Sequence, residues 1–130
     1  MKSTTVKQNV GIDIAKKDFK ANFQVLNSAQ ERKVKRSSTF GNRLSVFERF
    51  VNWVEKSRDP EVEVRITIEA TGVYYEQLVH YLHDHTDYRI SVLLPNKSKA
   101  YFKSLNIKTK TDKIDATVLG QMGIERNLKK

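Results

Sequence analysis

The stretch Asn9-Val10-Gly11-Ile12-Asp13-Ile14-Ala15-Lys16-Lys17-Asp18-Phe19 decides the fold. Val10, Ile12 and Ile14 alternate with Gly11, Asp13 and Ala15, which is the period of a β-strand with one apolar face. A strand this apolar belongs in the middle of a sheet. Yet Asp13 stands within it, and a buried carboxylate is costly unless something pairs with it. Gly11 and Ala15, the small residues on its face, are read as leaving room for whatever that partner is.

Outward from this strand, Val6–Ala15 reads as the first strand and Asp18–Leu26 as the second, with Phe19, Ala21, Phe23 and Val25 on one face. A turn at 27–31 leads to a third strand over 32–40, whose Arg32, Lys33, Lys35 and Arg36 suit a solvated sheet edge. Three strands this close in sequence form an antiparallel meander. Asn42 is placed to cap a helix running to Ser57, with Leu44, Phe47, Phe50, Val51 and Val54 as its apolar stripe. Glu61–Glu69 alternates cleanly as a fourth strand. A helix to His85 follows, with Tyr74, Leu78, Tyr81 and Leu82 on one side. Tyr88–Leu94 is a fifth strand, stopped by Pro95. A short helix around Lys97–Leu105, a basic turn and a helix from Asp112 to Arg126 complete the chain. Strands separated by helices pair in parallel through right-handed crossovers. The fold class is therefore α/β, a meander feeding βαβ units to give a mixed five-stranded sheet with packed helices.

The 130 residues fit one domain. With 24 Lys and Arg against 15 Asp and Glu, the net charge is +9, which attracts polyanions. The absence of cysteine excludes disulfide scaffolds, thiolate zinc sites and cysteine nucleophiles. No apolar run is long enough for a membrane span, and the N-terminus lacks the apolar core of a signal peptide, so a cytoplasmic protein is expected.

In such sheets ligand chemistry collects at the carboxyl ends of parallel strands. Asp13 and Glu69 sit near such ends, and Asp112 and Asp115 begin the last helix three residues apart, on one face. Taken singly each has an ordinary explanation: a solvated strand face for Asp13 and Glu69, an N-cap and first-turn acid for Asp112 and Asp115. Taken together they form one acidic cluster. Carboxylates gathered at a point either share protons or hold a hard divalent cation, Mg²⁺ or Mn²⁺. Two such ions ~4 Å apart serve phosphoryl transfer. Lys16, Lys97, Lys99, Lys103, Lys108, Lys110 and Lys113, with Tyr101 and Phe102 among them, suit either a nucleic-acid backbone or a solvated basic face. His80, His83 and His85 match no usual zinc spacing and read as a solvated helix end.

Three segments, Gly11–Phe19, Ile68–Leu82 and Lys110–Gly120, resemble in order and spacing the acidic motifs of the DEDD transposases, insertion-sequence recombinases related to the Piv DNA invertase. The resemblance implies a RuvC-like, RNase H-like domain with strand order 3-2-1-4-5 and helices on both faces. Asp13, Glu69, Asp112 and Asp115 match the D, E, D and D and would bind Mg²⁺ or Mn²⁺, with two ions expected. It further implies DNA as substrate, a bridge RNA as guide in some members, and a homo-oligomer in a bacterial or archaeal cytoplasm. Residues 1–130 would be the N-terminal catalytic domain of a longer protein whose C-terminal domain carries a nucleophilic serine. Family members often have Asn-Pro before the last motif; here the order is Pro95-Asn96, and no role is carried over.

Two other function classes stand beside this one. The first is a non-catalytic nucleic-acid-binding module with structural acids, or a simpler RuvC-like nuclease or junction resolvase. The second is a sugar-kinase or actin-like ATPase, opposed by Ala15-Lys16-Lys17 where that fold needs a glycine-rich phosphate turn.

Overall fold

Alternation along the strands sorts the side chains to two faces of one sheet, and the two faces are built on different principles. The computed structural model describes residues 4–69, 72–93 and 116–125. The strands are β1 (Thr5–Ile14), β2 (Asp18–Asn27), β3 (Arg32–Gly41), β4 (Val64–Glu69) and β5 (Arg89–Leu93), in the order β3-β2-β1-β4-β5. β1 pairs antiparallel with β2, and β2 with β3; β1 pairs parallel with β4, and β4 with β5. Helices α1 (Leu44–Ser57), α2 (Glu76–His85) and α3 (Ala116–Glu125) complete the described elements. This is the mixed sheet expected, and its order is that of an RNase H-like domain.

The face bearing Val10, Ile12 and Ile14 is apolar. Phe19, Ala21 and Phe23 of β2 and Val64, Ile66 and Ile68 of β4 extend it, and α1 and α2 cover it with Phe47, Phe50, Trp53, Val54, Leu78 and Leu82. Phe19, Phe40, Phe50 and Trp53 pack edge-to-face and stacked at 5.2–6.0 Å between centroids. Each such ring contributes about 1.5–3 kcal/mol through burial.

Several expectations about this face need correction. Leu44 is 58% exposed, and Val46 and Trp53 carry the α1 stripe in its place. Asn42 does not cap α1: Arg43 occupies that position without a side-chain cap. The Asn42 amide instead donates to the carbonyls of Ala15 (2.9 Å) and Tyr74 (3.1 Å), tying two loops together. Tyr74 lies in the turn before α2 and is 44% exposed. Residues 61–63 form a turn rather than strand. Buried Gln8 clamps that segment, donating to the Asp59 and Val62 carbonyls and accepting from the Asp59 amide, while Glu61 N–H donates to Asp59 Oδ1. The basic residues of the edge strand β3 are exposed, yet Lys35 and Arg36 are engaged. Lys35 donates to the Ser57 carbonyl, Arg36 donates to Ser57 Oγ, and its guanidinium lies 5.5 Å from the Trp53 ring centroid.

Tyr88 fastens the start of β5 to α1 by donating its hydroxyl to Glu55 Oε2. Burial first, then this bond, raise its pKa well above the ordinary 10.0. A folded-state pKa above the unfolded value stabilises the fold fully below the unfolded value, near pH 10, and that stability is lost as pH rises beyond it. Urea unfolding between pH 8 and 11 should therefore show an alkaline fall in stability that Tyr88→Phe lacks. At neutral pH that variant is less stable by about 1–2 kcal/mol. An identical alkaline profile in both proteins would refute the assignment. Among the described residues no helix is long and apolar enough to cross a membrane.

Candidate active site

With Val10, Ile12 and Ile14 turned toward α1 and α2, strand alternation sends Asn9, Gly11 and Asp13 to the opposite face. The parallel ladder pairs Gly11 with Thr67 and Ile12 with Ile68, so Asp13 and Glu69 are the next residues of neighbouring strands, on one face. Strand spacing of ~4.8 Å sets their separation at the backbone. Both are half-buried, and both stand at the carboxyl ends of the two central parallel strands.

On this face α3 lies directly on the sheet. A Cβ at Gly11 would fall far inside 3.0 Å of the Gly120 amide nitrogen and the Ala116 carbonyl oxygen. The space above Gly11 is thus taken by the helix backbone, so Gly11 does not leave the room expected of it, while Ala15, the other small residue of that expectation, is exposed. Gly120 and Gly123 play the reciprocal part. A Cβ at Gly120 would meet Gln24 Nε2 at 2.7 Å, and one at Gly123 would collide with Asn9 Nδ2 and Thr67 Oγ1.

Polar side chains hold the helix down. Buried Asn9 donates to the Gly120 carbonyl at 2.9 Å and accepts from Thr67 Oγ1 at 2.9 Å. Buried Gln24 donates to the Thr117 carbonyl at 2.8 Å and to Asn22 Oδ1 at 2.7 Å, while Arg32 donates to Gln24 Oε1 at 3.1 Å. Lys7 donates to the Ile124 carbonyl at 3.0 Å, a favourable place for a cation near a helix C-terminus. Burial, then the nearby Arg65 charge, lower the Lys7 pKa. None of these residues stood out by pattern, because Asn9, Gln24 and Thr67 read as the solvated half of alternating strands. The available signal was on the other partner: Ala116, Gly120 and Gly123 form a small-residue stripe on one helix face, which lets backbones approach closely.

The first turn of α3 and the end of β1 meet at a cavity of about 430 Å³ lined by Asp13, Lys20, Asn22, Ser37, Thr39 and Thr117, among others. Lys20 is the cross-strand partner of Asp13. Lys16 is exposed in the turn after β1. Asp112, Asp115, Lys97, Lys99, Lys103, Lys108, Lys110 and Lys113 lie outside the described residues, as does the expected helix at 97–105. Among the described residues no three His, Asp or Glu side chains are gathered at one point. His85 stacks on Tyr81 at 4.2 Å, and His80 and His83 border a hollow otherwise lined by Val79, Tyr88, Ile90 and Val92.

A sheet of order 3-2-1-4-5 covered on both faces, with acids side by side at the carboxyl ends of its central parallel strands, defines the class as RNase H-like. Within that class the family can be stated. Residues 10–130 match the transposase family of DEDD type, and the chain belongs to it. It is 37% identical over 121 residues to the pilin gene-inverting protein of Moraxella bovis, and equally to that of Moraxella lacunata. Each alignment covers 93% of this chain and 35% of the relative, so the chain spans about a third of the length of these relatives.

Proposed function

We propose that the chain is the catalytic domain of a DNA recombinase that cuts and rejoins strands in transposition or site-specific inversion. The observation that carries this is the placement of Asp13 and Glu69 on adjacent parallel strand ends, where the first turn of α3 arrives. Asp115 directly precedes Ala116 in sequence, Asp112 stands three residues before Asp115, and the two complete the proposed acidic set. Two half-buried carboxylates side by side are hard oxygen donors of the kind Mg²⁺ or Mn²⁺ selects, and two ions are proposed. When bound, such ions polarise a phosphoryl oxygen and stabilise the attacking and leaving oxygens.

The chain's own residues supply the rest. Asp13, Glu69, Asp112 and Asp115 hold the cations, and Lys16, Lys97, Lys99, Lys103, Lys108, Lys110 and Lys113 neutralise the phosphodiester backbone. The relatives' names describe inversion of a gene, which supports DNA as the substrate here. The wider proposal places these residues as the N-terminal domain of a longer, cytoplasmic, homo-oligomeric protein. A nucleophilic serine in a following domain and, in guided members, a bridge RNA belong to that proposal.

Calorimetric Mg²⁺ titration tests it against a non-catalytic nucleic-acid-binding module. The chain should give a saturable response that disappears in Asp112→Ala. No response, even in complex with DNA, would favour the binding module.

A further inference from the structure

Beside the acidic pair, the sheet carries a row of polar residues that the catalytic proposal does not use. Register places Asp13 opposite Lys20 on β2, and Lys20 opposite Thr39 on β3; the next row on the same face is Gly11, Asn22 and Ser37. Lys20, Ser37 and Thr39 are exposed, Asn22 is buried, and Thr117 of α3 closes one side. The result is the trough of about 430 Å³ that starts at Asp13, crosses β2 and reaches the sheet edge at β3.

Two steps between strands make the trough ~10 Å long, room for a short stretch of phosphodiester backbone. Beyond the Asp13 carboxylate at its head, its lining includes the Lys20 ammonium, the Asn22 amide and the Ser37, Thr39 and Thr117 hydroxyls, with no aromatic residue among them, which suits phosphate oxygens rather than bases. It reaches the exposed edge strand β3, so an extended polymer can lie along it.

We infer that this trough seats the DNA backbone just beyond the reacting phosphate, with Lys20 as its positioning cation and Ser37 and Thr39 as hydroxyl donors. The inference rests on the catalytic proposal above, since it is Asp13 that sets where the strand begins. Lys20 opposite an aspartate has a plainer role as a cross-strand ion-pair partner, and the test separates the two.

Binding of a roughly 20-nucleotide single-stranded DNA, and of RNA of the same sequence, is followed by fluorescence anisotropy across a salt series. Lys20→Gln is compared with Lys56→Gln. Lys56 is exposed on α1, on the other side of the sheet, and each change lowers the net charge of +9 by one. Lys20→Gln should weaken DNA binding by about threefold to tenfold relative to Lys56→Gln and lower the log–log salt slope by about 0.7. Ser37→Ala with Thr39→Ala should weaken it by about threefold.

Equal affinities and slopes for the two lysine variants would overturn the trough while leaving the catalytic proposal standing. So would a Lys20→Gln defect confined to RNA, which would remove DNA as the occupant. Failure of the unaltered chain to bind DNA even at about 50 mM salt, with no Mg²⁺ response, would overturn the catalytic proposal itself.

Discussion

Asp13→Asn in the full-length protein should abolish recombination, reducing it by at least about 100-fold, while leaving the fold intact. The size follows from what the residue is proposed to do. Groups that merely orient metal ligands are worth ~10–100-fold in affinity or activity, and a ligand itself is worth more. The fold survives because Asn keeps the volume of Asp and position 13 borders an open cavity rather than the aromatic core. Apo stability should stay within about 1 kcal/mol of the unaltered protein.

The metal dependence of stability sharpens the test. A cation that binds only the folded state stabilises it by RT ln(1 + [L]/Kd), about 2.7 kcal/mol at a hundredfold excess over Kd. Thermal unfolding of the unaltered domain should therefore shift upward with Mg²⁺, and that of Asp13→Asn should shift much less. Recombination at the normal level by a folded Asp13→Asn protein would overturn the active-site assignment. So would an equal Mg²⁺ shift in both proteins.

Asp13 was legible because strand alternation is a strong signal and a carboxylate in a central strand contradicts it. Glu69 was legible only in combination, since Glu61, Glu63 and Arg65 make it look like one more polar alternate. It gains meaning from the parallel pairing of β1 with β4, which the strand–helix–strand order predicts. The apolar face was equally open to inspection, because phenylalanines at strand and helix periods converge on one core. The opposite face was not. It is built from Asn9 and Gln24 bonded to helix carbonyls, with Thr67 donating to Asn9, and a polar residue that faces a helix has the same strand period as one that faces water. The small-residue stripe of Ala116, Gly120 and Gly123 on the helix is the sequence's one sign of the difference, and the backbone approach at Gly11 confirms it. Asn42 misled for a related reason: a residue with good capping chemistry was bound instead to carbonyls distant in sequence, Ala15 and Tyr74.

The same close approach makes Gly11 the position where a single methyl group should do most damage. Gly11→Ala places a Cβ against two backbone atoms of α3, Gly120 N and Ala116 O, and neither can swing aside as a flexible side chain would. The helix must back away from β1. That would stretch the Asn9 to Gly120 and Gln24 to Thr117 hydrogen bonds and leave buried amides without close acceptors. Overpacking costs about 1–3 kcal/mol, occasionally more, and each buried polar group left unpaired adds about 1–3. The expected loss is therefore about 3 kcal/mol or more, which lowers Tm by roughly 10 °C in a domain of this size. Gly41→Ala is the control, because a Cβ there meets only Arg43 and Val46 side-chain atoms at 3.4–3.5 Å, ordinary contact distances. It should change stability by less than about 1 kcal/mol. Gly120→Ala falls between them: its Cβ meets the Gln24 side chain at 2.7 Å, so Gln24→Ala should recover part of the loss. If Gly11→Ala unfolds at the same temperature as Gly41→Ala, then α3 is not seated on β1 as described. Because that same first turn borders the Asp13 cavity, a seated helix also predicts that a folded Gly11→Ala protein binds Mg²⁺ more weakly, though no ligand has been altered.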